Sequence, residues 1–270
     1  MLARWGITGA LSVIALTTLF PMYVMLSNVF RTNADWASSK LGLPTTFSLD
    51  AIEHAWTGAS IPLYLRNSAI VTTGTVLLSV ACASMAGYSF SKIRWGGGGA
   101  SYLFVLSWIA VPPLILLVPL YVEMVDLGLY DTWWSVILIY TALNLPFNVY
   151  LMTTYFRHVP DEILEAAEID GAGTNQTFIR ILLPLARPAL ATLVIFNVLW
   201  SWNEFIFALL LLPSEDSKTL TVGVLQFQGR FNQDPTALMA GLVITTLPVI
   251  AVYIVFQRHL VRAIAAGATK

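Results

Sequence analysis

Five carboxylates fall within ten residues of one another: Asp161, Glu162, Glu165, Glu168 and Asp170. Clustered carboxylates can transfer protons, hold a cation or present charge to a partner. Proton transfer needs a reacting group beside the acid, and the chain has no Gly-x-Ser-x-Gly elbow and no His-Glu-x-x-His pair. The three histidines, His54, His158 and His259, lack metal-ligand spacing. Cys82 is the single cysteine, so no internal disulfide and no spaced-cysteine metal site can form. It lies in an apolar run and is read as packed filler. No Gly-x-x-x-x-Gly-Lys-Ser/Thr loop is present to hold ATP phosphates. No catalytic residue and no metal ligand is therefore assigned. The cluster is then either a solvated acidic loop or a charged surface that another protein reads.

The elements that carry the cluster are legible in the segment 157–187. Pro160 suits a first helical turn, and Asp161 and Glu162 complement the positive end of the helix dipole. The helix is expected to run to Ile169 or Asp170, where Gly171 can take the left-handed conformation that ends it. Thr174 is placed to cap a second helix running to about Leu183, before Pro184. On the first helix, Ile163, Ala166, Ala167 and Asp170 fall along one side and Glu165 and Glu168 on another. Alanines permit close approach, so this helix-turn-helix reads as a docking element.

The surroundings of this polar segment are apolar. Hydrophobic residues make up 57% of the 270 and charged residues only 11%, with a mean hydropathy of +0.74. A bilayer core of about 30 Å takes about 20 apolar residues as a helix. Six such spans are predicted, at residues 9–30, 67–90, 102–124, 133–152, 189–212 and 238–256. No segment alternates with period two, which argues against a β-barrel. The first run has Arg4 before it but is too long for a signal peptide and has no small-residue cleavage site, so it reads as a retained span. The predicted fold is an all-α integral membrane protein, one transmembrane domain over 1–270, with the helix-turn-helix between spans four and five.

Six spans put both termini on one side. That side collects Arg4, Lys92, Arg94, Arg157, Arg180, Arg187, Arg258, Arg262 and Lys270, against Arg31, Lys40, Arg66, Lys218 and Arg230 opposite. Positive charge marks the cytoplasmic side, so both termini and the acidic hairpin are expected there. A net charge of −1 gives no footprint for nucleic acid.

Polar and proline residues interrupt the spans. Pro112, Pro113, Pro119, Pro146 and Pro248 suggest bent helices around a non-cylindrical space. Asn144 and Asn148 lie one turn apart, and Asn197, Asn203 and Glu204 follow in span five. The asparagines fit either interhelical hydrogen bonding or a polar pathway. Glu204 requires a partner, a cavity or a place near the outer surface.

At this point a resemblance becomes specific. Glu165-Ala166-Ala167, Gly171 four residues on, then Ile181 and Pro184, match the pattern "EAA---G---------I-LP". This resembles the EAA motif of permease subunits of bacterial ABC importers. Most of the chain resembles the carbohydrate-importer permeases of the maltose-permease type, through "FPMYVMLSNVF", "LPTTFSLDAIEHAW", "NSAIVTTGTVLLSVACASMAGYSFSKIRW", "LPFNVYLM", "WNEFIFALLLL" and "LPVIAVYIVFQRHLVRAIAAGATK". The C-terminal Ala-Thr-Lys departs from the family's common ending.

The resemblance implies a type I ABC importer permease fold and a bacterial plasma (inner) membrane location, multi-pass. It implies a second homologous permease, two ATPase subunits that bind ATP and Mg, and an extracytoplasmic binding protein that delivers a sugar. The chain itself then holds no cofactor and contacts membrane lipid. The EAA helix would dock in a cleft of the ATPase through Glu165, Ala166, Ala167, Asp170 and Gly171. Sugar-pathway candidates are Asn144, Asn148, Trp200, Asn203 and Phe207, while Trp202 reads as an interfacial anchor. In the outer loop, Gln226, Gln228, Arg230 and Asn232 are either binding-protein contacts or plain surface. A self-sufficient secondary transporter is disfavoured by the lack of paired buried ionisable groups, and an intramembrane enzyme by the lack of a catalytic constellation.

Overall fold

The structure, a computed structural model, describes residues 2–58, 60–229 and 232–268. Helices dominate in the order Leu2–Val29 (α1), Asn33–Ser38 (α2), Asp50–Gly58 (α3), Ile61–Lys92 (α4), Gly98–Ser107 (α5), Leu117–Asp126 (α6), Trp133–Arg157 (α7), Asp161–Ile169 (α8), Thr174–Gln176 (α9), Leu183–Leu185 (α10), Arg187–Asn203 (α11), Ile206–Leu211 (α12), Leu220–Gly223 (α13) and Pro235–Ala268 (α14). A two-residue antiparallel pair, Gln228–Gly229 with Asn232–Gln233, interrupts them.

Among the described residues, four helices are long and apolar enough to cross a membrane: Ile7–Val29, Ile61–Lys92, Trp133–Arg157 and Pro235–Phe256. Two bent pairs raise the number to six if each counts as one span. The stretch 102–124, expected as one span, is such a pair: Gly98–Ala110 and Pro113–Asp126 meet at 93°. The cause is local. Val111 is extended at φ −84°, ψ 116°, and Pro112 follows at ψ 126°. Proline lacks an N–H and crowds the residue before it out of the helical region. The stretch 189–212 is also discontinuous. Its main helix begins at Arg187, stops at Asn203 and resumes as α12 after extended Glu204.

The described residues form two compact units. The first comprises the residues up to Arg66 together with Thr219–Pro248. In it Ala51 and Ala55 of α3 pack with Val29 of α1 and Ala240 of α14. Arg31 is buried, with Nη1 donating to Asn28 Oδ1 at 3.0 Å and Nη2 to the Asp35 carbonyl at 2.5 Å. Gly223 has no room for a side chain, because a Cβ there would overlap the Tyr64 ring.

The second unit comprises Asn67–Lys218 and the residues from Val249. Helix α7 is its centre, and α4 lies against it through glycine. A Cβ on Gly87 would sit 2.7 Å from Met152 Cβ and 3.0 Å from backbone atoms of Met152 and Thr153. Small residues of this kind let membrane helices approach closely. Ala83 and Tyr88 of α4, Val149, Met152 and Phe156 of α7, Leu182, and Leu193 of α11 form one apolar cluster. Lipid tails are as apolar as Met152 and Phe156, so close packing rather than removal from water holds this cluster together. At the far end of this unit, Asp131 (φ +58°) gathers the 213–218 loop. Its Oδ1 accepts from the Ser214 N–H at 3.3 Å, Ser214 Oγ at 3.0 Å and Ser217 Oγ at 2.5 Å.

Candidate functional site

The polar hairpin is built as a rooted lever with a bare tip. Helix α8 starts at Asp161 after extended Pro160 and ends with Asp170 as its cap. Gly171 then takes φ +79°. The Ala172 N–H donates to the Ala167 carbonyl at 2.9 Å and the Gly171 N–H to the Glu168 carbonyl at 3.0 Å. This crossed pair is the Schellman ending, which favours glycine at the left-handed position. The second arm starts differently from the expectation. Gly173 occupies the cap position and Thr174 is the first helical residue, with no side-chain cap. The arm then widens into a π-helix over Thr177–Leu182. Leu182 is fully buried, and Phe178 stacks on Tyr88 of α4 at 5.1 Å between ring centroids. Tyr155 Oη donates to the Leu185 carbonyl at 2.7 Å.

This rooting decides which face of α8 is free. Leu164 packs against the apolar cluster, and Ala167, three residues on, is buried with it. Ala167 is therefore not part of the outward surface, contrary to the sequence reading that paired it with Ala166. The outward surface is Glu165, Ala166, Glu168, Asp170 and Gly171. Ile169, which the sequence reading passed over, is 86% exposed at the tip. Its signal was available: an isoleucine between acids, next to the capping residue. At the root, Lys92 Nζ donates to Asp161 Oδ1 at 2.5 Å and to the Val159 carbonyl at 2.6 Å. The hydrogen bond and charge of Lys92 hold the Asp161 carboxyl below the usual aspartate range.

The second set of candidates lies along α7 and α11, and the structure sorts them. Asn148 and Asn197 are both 1% exposed and exchange hydrogen bonds, Asn148 Nδ2 to Asn197 Oδ1 at 3.0 Å and Asn197 Nδ2 to Asn148 Oδ1 at 3.1 Å. Asn197 Nδ2 also reaches the Leu193 carbonyl at 2.8 Å. Asn148 is thus an interhelical clasp, closed to a passing ligand. Phe207 is buried, and so is Trp202, which was expected as an interfacial anchor. Asn144, Trp200 and Asn203 remain accessible.

Two partners join them that the sequence reading did not name. Phe147 and Phe196, both exposed, meet edge-to-face at 5.7 Å between centroids. Tyr140, Asn144 and Phe147 share a face of α7, and Phe196, Trp200 and Asn203 share one of α11, each at i, i+4, i+7. Trp200 meets the Tyr140 ring edge-on at 5.3 Å. The spacing of these aromatics was a legible signal.

Glu204 explains the interruption after α11. Its Oε1 accepts from the Ile206 and Phe207 N–H groups at 2.9 and 3.0 Å, and its Oε2 from the Ala208 N–H at 3.3 Å and Tyr140 Oη at 2.5 Å. The carboxylate caps the start of α12, and several donors offset the cost of placing it there.

In the first unit, Gln226 Nε2 donates to Tyr64 Oη at 2.7 Å, so this residue is turned toward its own chain. Arg230 lies outside the described residues, and Gln228 and Asn232 are described only in the backbone. Asp234 accepts from Asn33 Nδ2 at 3.1 Å and lies 3.2 Å from His54 Nδ1. Among the described residues no group of histidine, cysteine and carboxylate side chains is arranged to hold a metal.

Comparison with known proteins places this architecture. Residues 76–266 match the family described as binding-protein-dependent transport system inner membrane component. The chain is 34% identical over 251 residues to the probable ABC transporter permease protein YurM of Bacillus subtilis (strain 168), covering 93% of this chain and 83% of that one. It is 33% identical over 251 residues to the diacetylchitobiose uptake system permease protein NgcG of Streptomyces coelicolor, covering 92% and 83%. It is 31% identical over 265 residues to the melibiose/raffinose/stachyose import permease protein MelC of Bacillus subtilis (strain 168), covering 98% and 96%. A solved bacterial ABC transporter involved in the import of the acidic polysaccharide alginate superposes with a TM-score of 0.83 at 26% identity, over 95% of this chain and 96% of that one. The MetNI methionine ABC transporter shares the fold at a TM-score of 0.52 and 19% identity, over 75% and 93%. The chain belongs to the binding-protein-dependent transport system inner membrane components: it is a membrane permease subunit of an ABC importer with the type I permease fold, a transport protein and not an enzyme.

Proposed function

We propose that this permease moves a sugar or oligosaccharide and that separate ATPase subunits drive it through the tip of the α8 hairpin. The observation that carries the reading is the bare tip itself. Glu165, Ala166, Ile169 and Asp170 face outwards on a hairpin whose other side is buried in the second unit. Ile169 stands 86% exposed at this tip, beside the Schellman turn. Ile169 offers an apolar knob, Ala166 a close approach and Glu165 a charge for a basic residue in the ATPase cleft. Gly171 supplies the turn.

The sugar assignment rests on two supports. Relatives named for diacetylchitobiose and for melibiose, raffinose and stachyose cover most of the chain. The accessible face of α7 and α11 combines the rings of Phe147, Phe196 and Trp200 with the amides of Asn144 and Asn203. Rings stack on sugar faces and amides hydrogen-bond hydroxyls, so this face suits a polyol sliding past. The complete importer comprises a second, homologous permease facing this one, two ATPase subunits holding ATP and Mg, and an extracytoplasmic binding protein that delivers the sugar. This chain crosses the plasma membrane six times, with both termini and the hairpin in the cytoplasm, as the excess of basic residues there requires.

The test is the assembled importer in vesicles. Glu165→Lys is expected to abolish sugar-stimulated ATP hydrolysis and release the ATPase on purification, with insertion of the permease unchanged. Hydrolysis that stays coupled in this variant rules the docking reading out. Transport of sugar by the permease without ATPase subunits would overturn the ATP-driven reading.

A further inference from the structure

The C-terminal end of α4 grips the hairpin from a distance of 69 residues in sequence. Tyr88 stacks on Phe178 of the second arm and meets Phe156 of α7 edge-on at 6.5 Å. One turn later, Lys92 bonds the first arm through Asp161 and the link before it through the Val159 carbonyl. The Lys92 side chain is only 6% exposed, whereas that of Asp161 is 68% exposed. An exposed pair of this type contributes little. Here the ammonium is withdrawn from water, so its two acceptors are the groups that solvate it.

The position of these acceptors has a mechanical consequence. The hairpin joins α7 through residues 158–160. Pro160 has no N–H to tie this link, and the His158 and Val159 N–H groups reach back only to Tyr155 and Phe156. Lys92 bonds one atom inside the link and one just beyond it. The link cannot bend without pulling on α4, and α4 is locked to α7 at Gly87, where backbone and Cβ atoms are in contact. Without Lys92, α4 would lose both polar ties to the link and the first arm and keep only the Tyr88–Phe178 stacking on the second.

We propose that Lys92 is a positioning residue of the transport cycle: it makes α4 follow the hairpin when a bound ATPase moves it. The inference rests on the reading of the hairpin as the ATPase docking element. Lys92 touches neither sugar nor nucleotide and acts through Asp161 and Val159. Its loss separates ATP hydrolysis from transport.

The experiment uses the complete importer in proteoliposomes, with sugar uptake and ATP hydrolysis measured on the same sample. Lys92→Met is expected to keep the ATPase bound and hydrolysis stimulated, while sugar moved per ATP falls about tenfold, within the usual range of coupling between sites. Lys92→Arg restores the ratio, because guanidinium reaches the same acceptors. Asp161→Asn, on the exposed partner, lowers the ratio less, because the bond to Val159 survives. This variant also reads the proposal if Lys92→Met does not assemble. An unchanged ratio in Lys92→Met or Asp161→Asn overturns the proposal. So does an equal loss of uptake and hydrolysis that Lys92→Arg fails to rescue, since that pattern marks a purely structural role. The Glu165→Lys variant, scored by ATPase retention, separates the two readings. If it keeps the ATPase bound, the docking reading fails. If it releases the ATPase and Lys92→Met leaves the ratio unchanged, only the role of Lys92 fails.

Discussion

Asn148 and Asn197 give a sharp test of how the bundle of the second unit is held together. Leucine is close to asparagine in shape, so Asn148→Leu removes two interhelical hydrogen bonds with little repacking. Such bonds contribute about 0.6 kcal/mol each in membrane bundles, or about 1.2 kcal/mol for the pair. The variant leaves Asn197 Oδ1 without its partner, while Asn197 Nδ2 keeps the Leu193 carbonyl. An orphaned buried polar atom adds about 1–3 kcal/mol, so the expected loss is about 2–4 kcal/mol.

Asn197→Leu removes these two bonds and the one to the Leu193 carbonyl and orphans both ends of the Asn148 amide, for a loss of about 3–7 kcal/mol. The double variant orphans nothing at these sites and should lose about 1 kcal/mol. The expected order is therefore Asn197→Leu worst, Asn148→Leu intermediate and the double variant mildest, with a coupling energy of at least about 4 kcal/mol. Reversible unfolding in mixed micelles, followed by tryptophan fluorescence, measures all three. Additive losses, or a costlier Asn148→Leu, would refute the clasp. A stable double variant that no longer transports would return Asn148 to the sugar pathway.

The glycine seam predicts a contrast. Gly87→Ala should cost about 1–3 kcal/mol in the same unfolding assay, because its Cβ meets main chain and Met152 Cβ. Gly74→Ala should cost less, since its nearest obstacle is Ile137 Cδ1, the mobile end of a side chain. At the Asp131 clasp, burial alone would raise the carboxyl, but the Ser217 and Ser214 hydroxyls and the Ser214 N–H bring it below the ordinary value of 3.8. A lowered carboxyl contributes stability that is complete above its unfolded value and is lost as pH falls through the folded one. Exchange at the Ser217 amide, taken relative to its intrinsic rate at each pH, should therefore stay slow from neutral pH down to about 4 and quicken only below that. In Asp131→Ala it should be fast throughout, and equal protection in both proteins would count against the clasp.

Much of the helical layout was legible because a membrane imposes a strict length and polarity on anything that crosses it. Hydropathy located the long apolar helices α1, α4, α7 and α14. The Pro160 start, the acids of the first turn and Gly171 at the left-handed position were legible because helix ends obey local backbone geometry. The breaks were less so. Pro112 and Pro113 announced a bend but not its 93°. Glu204 looked expensive in sequence, and nothing local revealed that its cost is offset by the start of α12 and a tyrosine 64 residues away.

What the sequence determined by itself is the set of properties that act over one or two turns: apolar length, charge asymmetry between loops, helix caps and the EAA spacing. What the tertiary structure decided is which of several equivalent side chains faces in or out. Ala166 and Ala167 are indistinguishable as residues, yet docking of Leu164 on the core of the second unit buries Ala167 and leaves Ala166 and Ile169 bare. Asn144 and Asn148 are one turn apart on the same helix, yet only Asn148 meets an amide across the helix contact. Lys92 looked like one more basic residue marking a loop, and folding placed it against the root of the hairpin. In each case the deciding contact lies far along the chain, so only packing could select it.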